Sequence, residues 1–474
     1  MKYNVAILNG KIISHETILE GSIGIVSDKI VSILKGSLGV QAERVINADG
    51  LLVLPGVIDV HYHCRDPGYT HREDFSTGTM AALSGGTTTI LEMPVSLPPV
   101  YNKEIFVKRR EIASTKSYTD FGLYGGCGTL NKEDILGQKE AGAIGFKMFL
   151  HEPPPEKKDS MKGLYISNDL ELLEVLQIMN RINLPLAIHA EENSILKFYR
   201  REIGDRKDPL AFYDANPVIA EELAILKLVL LISRMFRNVK TYFVHISSKE
   251  SVKIIREAKK KGLNIACETC PHYLLFSKDK LEIFGPYAKV SPPLRTEEDR
   301  KALWNAINSG VIDCVSSDHA PYTKEEKEVG LENIWLAPAG LPGGELLLPI
   351  MISHALKGFI KLSKVVEVLC KNPATFFGIY PKKGVIQIGS DADIVLIDPK
   401  VEWTVKCSNM LTKSKESALI YEGLKLKGKI MKVLLRGIEV YSDSEGVIGR
   451  PGYGRFISPL SSGRNIRIEQ FSIS

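Results

Sequence analysis

The stretch "PGVIDVHYHCRDPG", residues 55–68, decides how the chain is read. An apolar run ends in two histidines two residues apart, and a turn with Pro67 and Gly68 follows. Side chains alternate faces along a strand, so His61 and His63 are expected on one face with Tyr62 opposite. Such a pair suits a metal site at a strand end, and it equally suits a histidine-rich loop. What the rest of the chain supplies has to decide.

Before this stretch, "YNVAILNGKII", "GSIGIVSDKIVSIL" and "ERVINADGLLVLPG" read as short strands with turns, and a similar texture returns in "KGVIQIGSDADIVLIDP", "VEWTVK" and "KIMKVLLRGIEVY". Between them apolar strands ("AIGFKMFL", "LPLAIHA", "KTYFVHISS", "LNIACETC", "IDCVSSDHAP") alternate with helical stretches ("DLELLEVLQIMNRI", "EELAILKLVLLISRMF", "KESVKIIREAKKKG"). Strand–helix alternation over about 330 residues predicts an α/β fold with a parallel sheet, closed as a barrel of eight units. The expected division is a (β/α)8 catalytic barrel over 55–383, with a small composite β-sandwich made by both chain ends, 1–54 plus 384–474. "HEPPPEKKDSMKG", 151–163, reads as an exposed loop directly after a strand.

At 474 residues, 44% hydrophobic and 25% charged, the composition is that of an ordinary globular protein. Its 61 basic against 56 acidic residues leave a net charge of +5. That excess is small and spread out, so neither nucleic acid nor a membrane is expected as partner. The first residues read as a strand and hairpin rather than a signal peptide, and no run reaches the ~18 apolar residues of a membrane span. Seven cysteines without framework spacing suit a reducing cytoplasm. Cys267 and Cys270 form a lone C-x-x-C and read as packing residues.

His189 in "LPLAIHAEE" and His245 in "TYFVHISS" each follow an apolar strand and precede a polar turn, as does Asp318 in "VIDCVSSDHAP". Four histidines and an aspartate at the same end of successive strands point to a metal site. Imidazole with carboxylate suits zinc, though manganese, iron or nickel also fit. Lys147 sits inside the apolar strand "GAIGFKMFL", where a buried charge costs several kcal/mol unless it is paired or altered. It is read either as a snorkelling or ion-paired lysine, or as a neutral amine that takes up CO2 as a metal-bridging carbamate.

With these residues the chain resembles the cyclic amidohydrolases: dihydroorotase, allantoinase and the hydantoinase/dihydropyrimidinase group. The ordered motifs "DVHYHCRDPG", "FSTGTMAALSGGTTTI", "GFKMFL", "IHAEE", "VHISS", "ETCPHYL", "KVSPPLRTEEDRKALW", "SSDHAP" and "GSDADIVLID" carry the resemblance over nearly the whole length. It implies a metal-dependent barrel enzyme, two divalent ions (zinc expected) and a carboxylated Lys147 bridging them. His61, His63 and Asp318 would hold one ion, and His189 and His245 the other. In the family a metal-bridging hydroxide opens the ring amide, and Asp318 would be the general acid/base. The partners implied are a small cyclic amide or ureide and a second copy of the chain, as dimer or tetramer. Non-catalytic scaffold relatives have lost these ligands, whereas all six positions are filled here. Phosphotriesterases share the ligand set but lack the motif series.

The ring itself reads as a mosaic. The nearest dihydroorotases resemble H-x-H-x-R, M-P-N-T, N-P-P-L-R and D-H-A-P-H; this chain keeps Arg65 but carries Val95, Ser291 and Tyr322 at the other contacts. The hydantoinases' tyrosine after the lysine and asparagine of P-N-G are missing from "GFKMFLHEPPP" and "APAGLPG", the latter bringing Gly340 to the substrate. "DFGLYGG" and "ETCPHYL" look allantoinase-like, although Arg65 does not. Arg65, Ser291, Tyr322 and Gly340 are the expected substrate contacts. Allantoin is placed first, with dihydroorotate and hydantoin or dihydropyrimidine as alternatives.

Overall fold

The structure is a computed structural model and describes residues 2–36, 41–129, 132–154 and 157–460. Its centre is a parallel eight-stranded sheet in chain order: β6 (Val57–Tyr62), β7 (Thr87–Glu92), β8 (Asp120–Gly126), β9 (Gly145–Phe149), β10 (Pro185–His189), β11 (Lys240–Phe243), β12 (Ile265–Thr269) and β13 (Cys314–Val315). The sheet curls almost closed. Tyr62 bridges His319 just beyond β13, where the His63 amide donates to the His319 carbonyl at 2.9 Å. The expected α/β barrel is therefore the observed fold.

Both chain ends build a second, nine-stranded sheet. It takes β1 (Tyr3–Ile13), β2 (Ile18–Val26), β3 (Lys29–Lys35), β4 (Ala42–Asn47) and β5 (Leu52–Pro55) from the N-terminal side. The C-terminal side adds β14 (Ile394–Thr404), β15 (Lys425–Leu435), β16 (Ile438–Ser442) and β17 (Gly446–Val447). Isoleucines and valines at alternate positions, among them Val5, Ile7, Ile23, Ile25, Val53 and Ile394, give this sheet a core of its own. Two C-terminal stretches leave it. Residues 411–414 reach the loop after β6, where Lys413 pairs with Asp74 at 2.6 Å. Residues 455–457 run beneath β8, with the Phe121 amide donating to Arg455 and the Ile457 amide to Phe121.

Alternation along the barrel strands decides what faces inward. In β9 Phe146 and Met148 join the outer core against the helices, so Lys147 between them points into the barrel. In β10 Leu186 and Ile188 go outward while Ala187 and His189 go inward. The lower interior is filled by Ile58, Val60, Leu91, Tyr124, Tyr242 and Phe377, leaving polar groups only toward the upper, C-terminal end. The helices outside are capped by their own sequence. Ser248 accepts from the Ser251 amide at the start of Lys249–Lys260, and Thr296 with Asp299 forms a capping box before Glu297–Asn308.

The 151–163 segment is less exposed than expected. Residues 155–156 lie outside the described part, but Pro153, Ser160 and Met161 are buried. Lys157 lies with its ammonium 5.6 Å from the centre of the Tyr322 ring, so this described part of the segment packs toward Tyr322.

Candidate active site

His61 and His63 both face the carboxylate of Asp318, with Nε2 atoms 3.3 and 3.6 Å from its Oδ1, while Tyr62 packs outward against the His319 ring. His61 and His63 thus share one face with Tyr62 opposite, as expected, although Ile58 and Val60 also face inward; the β6–β7 register shifts between Asp59 and Tyr62. His245 stands 5.5 Å from His61 and 4.5 Å from His189, ring centre to ring centre. By alternation His245 would face outward, because Tyr242 and Val244 face in. Its positive φ of 41° turns the chain back at that point, and Asp318 (44°) and Arg65 (59°) share this conformation. Left-handed backbone at non-glycine residues costs roughly 1–3 kcal/mol and concentrates where function over-determines geometry.

Lys147 lies 1% exposed among these groups, and its Nζ has no hydrogen-bond partner. Burial lowers its pKa to about 8 against the pull of Glu268 and Asp318. Burial likewise holds His63, His189 and His245 well below the usual 6.5, leaving neutral imidazoles with lone pairs to donate. Asp318 is raised by burial, against the opposing pull of His61 and Lys147.

Three carboxylates that the sequence reading did not single out orient these groups. Glu268, buried in β12, accepts from His61 Nδ1 at 2.5 Å and from the Tyr242 hydroxyl at 2.9 Å, which turns His61 Nε2 toward Asp318. Glu191 meets His189 Nε2 at 2.6 Å and so leaves Nδ1 facing the site. Asp59 accepts from the Ser317 amide and tethers the segment leading to Asp318. A carboxylate on the far nitrogen of a ligating histidine fixes both its tautomer and its aim. The signal was available for Glu268: an acid inside an apolar strand is as anomalous as Lys147.

The expected substrate contacts fall into two places. Ser291 lies beside His189, its hydroxyl 3.3 Å from Glu191. Arg65, Tyr322 and Gly340 form a second group. The Arg65 guanidinium stacks 4.8 Å from the Tyr322 ring centre, and its Nε is buried without a partner. Arg72 approaches the same ring at 4.9 Å. Burial would raise the Tyr322 phenol, but Arg65, Lys157 and Arg72 outweigh it and bring it down to about 8. Gly340 has a φ of 147°, and a Cβ there would meet the Ala320 carbonyl at 2.6 Å and the Tyr322 ring at 2.9 Å, so only glycine lets this loop close on Tyr322.

His61, His63 and Asp318 present donor atoms within 4.8 Å of one another, an arrangement able to hold a metal ion. The neutral imidazoles, the carboxylate and the orphaned amine of Lys147 suit a divalent cation. The amidohydrolase family model matches residues 52–440, most of the chain. The chain belongs to the amidohydrolase family. This family is metal-dependent, and the expected recognition as a cyclic amidohydrolase is met. Among solved structures, "L-Hydantoinase (Dihydropyrimidinase) from Arthrobacter aurescens" is similar at 33% identity and a TM-score of 0.91, over 96% of this chain and 100% of that one. A dihydroorotase of Wolbachia sp. subsp. Brugia malayi is 32% identical over 93% of this chain and 96% of its own. An allantoinase of Rubrobacter xylanophilus is 33% identical over 92% and 93%. This amidohydrolase thus stands at nearly equal distance from relatives named for three different rings. Among its described residues no helix is long and apolar enough to cross a membrane.

Proposed function

We propose that this amidohydrolase opens a cyclic amide or ureide by hydrolysis. His61, His63 and Asp318 would hold one divalent ion and His189 and His245 a second, with zinc the ion that the donor set favours. Lys147, as its carbamate, would supply oxygen ligands to them. The observation that carries the reading is the buried amine of Lys147, which has no hydrogen-bond partner among the described residues and stands near the imidazoles of the site. With its pKa brought down to about 8, a fraction of this amine is neutral near pH 7, and that fraction can add CO2, release a proton to solvent and leave two metal-binding oxygens. Bound cations acidify water and polarise a carbonyl. Asp318 takes the proton released when water adds to the ring amide and returns it to the leaving nitrogen. Glu268 and Glu191 keep the imidazoles aimed, and the 151–163 loop with Tyr322 shields the mouth.

For the ring, the sequence mosaic places allantoin first. One observation favours a second reading, an anionic ring such as dihydroorotate: Arg65 is 3% exposed with no carboxylate bonded to it. The test is ring opening of allantoin, dihydroorotate, hydantoin and dihydrouracil by the metal-loaded protein. Turnover of allantoin that survives Arg65→Gln supports the first reading. Turnover of dihydroorotate that collapses in this variant supports the second, and full turnover of any ring without metal overturns the mechanism.

A second copy of the chain is the proposed protein partner. On the helix Val218–Arg234, Ile219, Leu223, Leu226 and Leu230 stand exposed at alternating spacings of four and three, an apolar stripe along one side. Light scattering should give a dimer or tetramer, and Leu226→Glu with Leu230→Glu should reduce its order.

A further inference from the structure

The C-x-x-C pair is left over by this chemistry, and its two members differ. Cys267 points outward from β12 and gives its thiol to the Val311 carbonyl at 3.4 Å, as a packing cysteine does. Cys270 directly follows the same strand at the upper face of the barrel, its sulfur 3.9 Å from the Ser316 hydroxyl. Two residues on, His272 is 1% exposed, and among the described residues neither of its ring nitrogens has a hydrogen-bond partner. A fully buried imidazole with both nitrogens unsatisfied is rare in a folded protein and calls for a ligand.

Donor atoms of Cys270, His272 and Asp318 lie within 4.8 Å of one another. Ligands around a tetrahedral ion with metal–ligand bonds of about 2.0–2.3 Å lie roughly 3–4 Å apart, a range compatible with donors grouped this closely. A thiolate, an imidazole and a carboxylate together select a soft or borderline ion, in contrast to the sulfur-free set beside it. Asp318 belongs to both sets.

We propose that Cys270, His272 and Asp318 form a third cation site, which takes cadmium or surplus zinc and inhibits the enzyme by holding the Asp318 carboxylate. Binding forms a sulfur–metal bond and releases the thiol proton to solvent, with no change of oxidation state. The inhibitory effect rests on the proton-transfer role given to Asp318 above, whereas the site itself does not.

The test is a titration of the metal-loaded protein with cadmium, following the ultraviolet thiolate-to-cadmium charge-transfer band, bound metal and turnover together. Cadmium exchanging into the sulfur-free positions gives no such band. The expected result is a band that saturates at one equivalent as turnover falls. It should be absent from Cys270→Ser, unchanged in Cys267→Ser and shifted about tenfold or more to higher cadmium in His272→Gln. No band in the wild type, or an undiminished band in Cys270→Ser, overturns the site. A band lost in Cys270→Ser with inhibition unchanged overturns the capture of Asp318. The band is read without substrate, so a failure to open any of the four rings would count against the proposed function and leave this result standing.

Discussion

Two of the buried lysines, Lys147 and Lys383, stand near opposite ends of the barrel and are treated in opposite ways. At the lower end Lys383 reaches Asp120 at 2.5 Å, Asp393 at 2.6 Å and Asp391 at 3.0 Å, with Arg436 also on Asp120 and Lys29 on Asp391. At the upper end the Lys147 ammonium has no hydrogen-bond partner among the described residues and faces the Phe149 ring at 4.7 Å. The lower network ties β8 to the segments flanking β14 and β15, and with its carboxylates bound to lysine it is a clamp between sheets rather than a metal site. The upper lysine is held in a place that only a further ligand makes comfortable. A buried charge with every partner present is architecture; one with none is a vacancy for chemistry.

Exchanging each lysine for methionine breaks this comparison most sharply. Lys147→Met should abolish turnover and metal retention while leaving the metal-free protein at least as stable as wild type in urea. Lys383→Met should leave Asp393 without its cation and Asp120 and Asp391 with only one each, and cost about 3–5 kcal/mol by the same measurement, with residual turnover in whatever fraction stays folded. Equal destabilisation by both changes would erase the distinction. Next in size, Asp318→Asn should lower kcat by about 10²–10⁴-fold while most of the metal stays bound, as judged by elemental analysis. Glu268→Gln should weaken metal binding by about 10–100-fold, because His61 loses the carboxylate that aims it.

The two ends also separate on a pH axis. His63, His189 and His245 sit well below 6.5 in the fold, so the unfolded chain binds protons first as pH falls. Their contribution to stability is present above 6.5 and is lost progressively below it. At the lower end burial would raise Asp120 and Asp391, but Lys383, with Arg436 on the first and Lys29 on the second, holds both below 3.8. Their contribution is present above 3.8 and is lost as pH falls through the depressed folded values. Acid titration of the metal-free protein should therefore show a shallow loss beginning near pH 6.5 and a second below about pH 4. Lys383→Met should shrink the second and leave the first unchanged. This is the smallest effect of the series, and a single transition insensitive to Lys383 would refute the assignment.

The barrel was legible because strand–helix alternation and strand-end histidines are local patterns, and alternation alone turns Lys147 and His189 inward. Glu268, Glu191 and Asp59 were not read out, since what they do depends on which nitrogen of a distant histidine they meet. The covered state of the 151–163 loop was equally hidden. Its proline- and lysine-rich composition says loop, and only the position of Tyr322 says that Lys157 has something to fold onto. The cations around Tyr322 come from stretches near 65, 72 and 157, a grouping that no sequence spacing announces.

The stitch between Tyr62 and His319 has one more consequence. It joins the first and last strands of the barrel, segments about 250 residues apart in the chain, through a two-residue β13 that offers little ladder to hold them. His61 and His63 stand on one side of that seam and Asp318 on the other. An ion held by all three would be a rivet across the join, its binding free energy added to the weakest closure in the ring. Maturation of the enzyme and completion of the barrel would then be one event, and the pace of assembly would follow how soon the cation arrives as well as how fast the strands find each other.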